Sequence, residues 1–78
     1  MPPKKLFDPA ELGALAKSYR LKSGKRKGDA ADEFGVARTS IQLAEENPEQ
    51  SLTALRKRLI EAYSPYRVVG PVYFLERK

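Results

Sequence analysis

The sequence has neither cysteine nor histidine. A disulfide framework is therefore excluded, zinc sites lose their usual thiolate and imidazole ligands, and the most common general base of enzymes is missing. Small domains often rely on such staples, so a chain of 78 residues without them stands close to the size at which one apolar core outweighs chain entropy. A partner subunit would supply additional burial. Long apolar runs are also lacking: nothing approaches the length of a membrane span, and the opening MPPKKLF has no apolar middle region of a secretory signal. Nor is there a nucleotide-type loop. GKRKGD at 24–29 lacks the glycine spacing and the terminal Lys-Ser/Thr of a phosphate-binding loop, and the Ser and Lys pairs have no triad partner. The expectation is a soluble, cytoplasmic protein of one domain, without cofactor or metal, that is not an enzyme.

Positive charge is plentiful. Fifteen Lys and Arg stand against ten Asp and Glu, a net charge of +5, and the isoelectric point is near 9.7. A polyanion is a reasonable partner for such a chain. The distribution is uneven, with Lys17, Arg20, Lys22, Lys25, Arg26, Lys27 and Arg38 close together and an acidic segment from Glu45 to Glu49. Any one of these cations is explained by a solvated surface. Three consecutive cations in SGKRKG repel one another unless an anion meets them.

Hydrophobic spacing predicts four helices. Asp8 as cap, Pro9 at the first helical position and Glu11 three after the cap mark the start of the first, whose Leu12, Leu15, Ala16 and Tyr19 form one stripe up to a stop at Gly24. A short second helix spans Lys27 to Phe34, with Asp29 in its first turn and Gly35 as its stop. The third runs from near Ala37 to Asn47, where Pro48 restricts the preceding residue. Ser51 is the expected cap of the fourth, which turns Leu52, Leu55, Leu59 and Tyr63 inward and Arg56, Lys57 and Arg58 outward, and which breaks at Ser64-Pro65.

The last segment, YRVVGPVYFLERK, is rich in β-branched and aromatic residues and reads as extended chain, interrupted or bent at Gly70 and Pro71. A lone strand would leave its backbone groups unpaired. Pairing with the same strand of a second copy solves this, with Val68, Val69, Val72, Tyr73, Phe74 and Leu75 as dimerisation residues. The organisation is thus an N-terminal arm over 1–6, a helical domain over 7–64 and a β segment for dimerisation over 65–78.

Two short helices joined by a glycine-bearing turn, Gly35-Val36, form a helix-turn-helix arrangement. On a helical wheel the third helix carries Arg38, Thr39, Gln42 and Leu43 on one side and Ser40, Ile41 and Ala44 opposite. The second side packs, so the first meets solvent or a ligand. Arg, Thr and Gln are side chains able to reach base edges in a major groove.

On these residues the chain resembles the Cro/cI-type helix-turn-helix family, also called the XRE family, and within it the small HipB-type antitoxins. The resemblance is carried by FDPAELGALAKSYRLKSG, by Gly24, Ala31, Gly35, Val36, Ile41 and Glu45 in order, by ENP at 46–48 and by the final β segment. It implies an all-α, lambda-repressor-like bundle of four to five helices with a C-terminal β-strand paired across a homodimer. It also implies base reading by Arg38, Thr39, Gln42 and Leu43 on a palindromic operator in double-stranded DNA. Lys17, Lys22, Lys25, Arg26, Lys27 and Ser40 are the candidates for phosphate contacts. Lys27 stands where the family often has a phosphate-binding glutamine, Ala37 where Ser or Thr commonly caps the third helix, and Ala30 where a larger aliphatic residue usually fills the core. Arg20 and Glu45 take the positions of a structural ion pair in many members. A HipA-type kinase toxin is the further partner that the antitoxin resemblance implies. A stand-alone phage or cellular repressor, and a protein- or RNA-binding module, are the competing readings.

Overall fold

The computed structural model describes residues 6–70 and 73–78, so the beginning of the expected arm and Val72 lie outside the described residues. Four helices are followed by a two-stranded antiparallel sheet: α1 (Pro9–Lys22), α2 (Lys27–Phe34), α3 (Arg38–Glu46), α4 (Thr53–Tyr63), β1 (Tyr66–Val69) and β2 (Phe74–Arg77). Among the described residues no helix is long and apolar enough to cross a membrane.

The start of α1 is fixed by local chemistry. The Asp8 carboxylate accepts the Glu11 N–H at 2.8 Å and the Glu11 carboxylate accepts the Asp8 N–H at 3.2 Å, so both side chains satisfy backbone donors that a helix start leaves free. Gly35 ends α2 in the left-handed region, φ 66°, which only glycine adopts without cost. Val36 then donates its N–H to Ala31 O at 3.0 Å, and the chain turns into α3 within three residues.

The core is built from Leu12 and Ala16 of α1, Ala30 and Ala31 of α2, Ile41 and Ala44 of α3, Leu55, Leu59 and Ile60 of α4, and Val68 of β1. Leu15, Tyr19, Phe34, Val36, Leu52 and Tyr63 pack around it, half-buried. Gly13 allows α1 to meet the end of α3 backbone to backbone: a Cβ there would stand 2.7 Å from Glu45 O and 2.8 Å from Ala44 O. A glycine that lowers helix propensity is therefore what brings these two helices together.

Two expectations about α4 fail. Ser51 does not cap it, because Leu52 takes the cap position and no side chain closes the first turn. Nor does Arg56 face water. It shares a stripe with Leu52, Leu59, Ile60 and Tyr63 at helical spacing, and it is 1% exposed. Its guanidinium donates to Ala44 O at 2.7 Å, Asn47 O at 2.7 Å and Gln50 O at 3.1 Å, carbonyls at and beyond the C-terminal end of α3. Burial lowers its pKa from the ordinary arginine value, while three carbonyl dipoles and the negative end of α3 favour the charged form.

The C-terminal segment folds back on itself. Tyr66 pairs with Arg77, Arg67 with Glu76, Val68 with Leu75 and Val69 with Phe74. The pairing sought from a second copy is made within the chain, because the interruption at Gly70 and Pro71 separates two β-rich halves and so acts as a hairpin signal. The Tyr73 ring lies against Gly70, where a Cβ would stand 2.7 Å from it. Val68 is buried, Leu75 and Tyr73 pack on the core, and Val69 and Phe74 fall on the opposite face by strand alternation. Phe7 joins this hairpin through its N–H, which donates to Tyr73 O at 2.8 Å.

Candidate nucleic-acid interface

The exposed side of α3 follows from its wheel. Ile41 and Ala44 are fully enclosed in the core at 0% and 1% exposure, which turns Arg38, Thr39, Gln42 and Leu43 outward. Leu43 is 38% exposed, a large apolar side chain left partly in water. Ser40 is half-buried at the flank of this surface. Ala37 closes the start of α3 without a side-chain hydrogen bond, so the first turn of this helix keeps backbone donors free of side-chain caps.

Beside α3 lies an open recess of about 380 Å³. Arg20, Leu21, Lys25 and Arg26 line it from α1 and the following turn, Lys27 and Gly28 from α2, and Arg38 from α3. Two of these cations are committed within the protein. Arg20 Nε donates to Glu45 Oε2 at 2.6 Å and Nη2 to Glu45 Oε1 at 3.0 Å, a two-pronged pair whose side chains are 4% and 0% exposed. Its Nη1 donates to Lys25 O at 2.9 Å, holding the turn that carries the next cations. The Glu45 hydrogen bond raises the Arg20 pKa against the opposing effect of burial. Lys27 Nζ lies 3.1 Å from Glu46 Oε2, and this hydrogen bond holds the Glu46 carboxyl below its ordinary pKa.

The other three are not committed. Among the described residues Lys25, Arg26 and Arg38 form no ion pair. The Arg26 backbone N–H donates to the Asp29 carboxylate at 2.9 Å, which fixes the start of α2 and leaves the Arg26 side chain in solvent. The structure therefore brings Lys25, Arg26, Lys27 and Arg38 to one place. It does not bring Lys17 or Lys22 into the recess: both are exposed on α1, and Lys22 Nζ lies over the Tyr19 ring at 5.7 Å from its centroid. Three residues of this region escaped sequence reasoning. Leu21 and Gly28 line the recess and Glu46 neutralises Lys27, and the one available signal was that a glycine at 28 is unusual inside a helix that the periodicity already required.

Comparisons of the chain with protein-family models, with curated proteins and with solved structures found no match.

Proposed function

We propose that this protein is a sequence-specific, DNA-binding transcriptional repressor that presents the outward side of α3 to a major groove. The observation carrying this reading is the juxtaposition of Thr39, Gln42 and Leu43, exposed above a packed underside, with a recess whose Lys25, Arg26 and Arg38 have no ion-pair partners among the described residues. Uncommitted cations supply affinity for phosphates regardless of sequence, and a polar helix side beside them supplies selectivity. Thr39 and Gln42 hydrogen-bond base edges, and Leu43 meets a thymine methyl.

A homodimer completes the reading, because two reading helices one DNA turn apart, roughly 34 Å, recognise a palindrome. The hairpin is the surface proposed for it. Val68 N–H donates to the Glu61 carboxylate and Tyr66 N–H to Ser64 Oγ, which occupies the outer edge of β1. Leu75 and Arg77 pair with those residues and therefore direct their backbone groups away from β1, along an edge that a second copy can join. The antitoxin role, with a kinase-like toxin as second partner and co-repressor, rests on the resemblance of the sequence alone; co-purification of such a protein tests it.

Selection of bound duplexes from a random DNA pool at two salt concentrations tests the function. A symmetric motif, recovered far less efficiently at the higher salt, is the expected result. Recovery of duplexes without any shared motif would refute sequence-specific recognition.

A further inference from the structure

Arg38 opens α3, and the wheel alone directs it toward a base edge. Its guanidinium lies instead across the first turn of α2. A Cβ built on Gly28 would stand 3.1 Å from Arg38 Nη2, 3.6 Å from Nε and 3.8 Å from Cζ, so the planar group rests on the space that glycine leaves open. This location puts Arg38 on the same recess as Lys25 and Arg26, and none of the three has an ion-pair partner among the described residues. Arg20 and Lys27 also border the recess, but Glu45 and Glu46 already neutralise them. Three unshared positive charges on one open concavity repel each other, and a ligand with several acceptor oxygens relieves that repulsion. The guanidinium fork matches two oxygens of one phosphate, and the flexible ammonium of Lys25 adds a point charge.

We propose that Arg38 binds the phosphodiester backbone, that Gly28 is the residue that positions it there, and that base reading falls to Thr39, Gln42 and Leu43. The proposal rests on the DNA-binding reading above and changes the division of labour within it. Glycine lowers helix stability relative to alanine, and at position 28 its use is the room it gives to a side chain ten residues away in sequence. An alanine there meets the far end of a flexible arginine, so the fold survives and the guanidinium moves.

The test measures binding of the wild-type protein, Arg38→Ala, Arg38→Lys and Gly28→Ala to the selected duplex, to its single-base variants and to an unrelated duplex, over a range of salt. For Arg38→Ala the expected result is an equal fold-loss on every duplex, with the salt slope reduced by about one. Arg38→Lys recovers part of that loss. Gly28→Ala, with unchanged circular dichroism, gives a smaller loss that is again uniform. If Arg38→Ala keeps its affinity for the unrelated duplex and its salt slope but loses discrimination at one base pair, the phosphate role is overturned while DNA recognition stands. If Gly28→Ala binds as the wild type does, the positioning role of Gly28 is overturned. A wild-type protein that binds no duplex overturns both this proposal and the reading beneath it.

Discussion

Arg20 and Arg56 lie inside the fold at 3% and 1% exposure, whereas Arg26 and Arg38 stand in solvent at the edge of the recess. The interior pair has used its hydrogen-bond donors on the protein itself: Arg20 on the Glu45 carboxylate and the Lys25 carbonyl, Arg56 on three carbonyls around the end of α3. The outer pair has no ion-pair partner among the described residues. Net charge therefore overstates what the protein can offer to an anion. The cations that hold α3 in place and the cations that face outward are different residues, and substitutions should separate them cleanly.

The largest effect is expected from Arg20→Ala. It leaves a carboxylate with 0% side-chain exposure unpaired, a loss of about 3–5 kcal/mol, against a total stability of roughly 4–12 kcal/mol for a chain of this size. Urea unfolding should find a midpoint several molar below that of the wild type, and no folded state where the wild type stands at the low end of that range. Arg56→Ala comes next, with a loss of about 2–3 kcal/mol, because Ala44 O loses its guanidinium donor and Asn47 O and Gln50 O keep only the backbone N–H groups of Gln50 and Leu52; Arg56→Lys should recover only part of it, because one ammonium does not reach the three carbonyls with the geometry of a guanidinium.

A smaller effect is expected at Tyr63, whose hydroxyl donates to Glu33 Oε1 at 2.7 Å. Burial, and then this hydrogen bond, push its pKa from 10.0 up to about 12. A raised pKa means that the contribution is complete below the unfolded value and is lost as pH rises through the folded one. Absorbance titration should therefore show a tyrosinate step near pH 12 that Tyr63→Phe removes, with a stability cost of about 1 kcal/mol at neutral pH. The smallest effect on stability is expected for Lys25→Ala with Arg26→Ala, within about 0.5 kcal/mol. The same double variant should bind every duplex more weakly and reduce the salt slope by about 1.8. A large stability loss here would break the division between scaffold and surface cations.

The parts of the fold that the sequence made readable are those whose signals are local. Asp8, Pro9 and Glu11 fix the start of α1 within four residues, and Gly35 ends α2 through its own backbone. Features that depend on what lies opposite were hidden. Gly13 reads as a weak point of a helix until the Glu45 carbonyl is seen 2.7 Å from its missing Cβ. Arg56 reads as one member of a basic triplet until the end of α3 is placed over it. The hairpin is hidden for a related reason: a single strand and two short strands have the same composition, and only the turn between them differs.

The interface divides in the same way. The charge run at 25–27 and the polar side of α3 are visible in the sequence, since each lies on one short segment. That Arg38 joins the first of these groups depends on how α3 crosses α2, and that Lys27 leaves it depends on Glu46, 19 residues away. Neither could be derived from spacing alone.

Amide chemical-shift mapping during titration with the selected duplex shows directly which cations meet the DNA. The changes are expected to concentrate at residues 25–28 and 38–43, while the amides of α4 keep their positions. Changes confined to α4 or to the hairpin would contradict this placement.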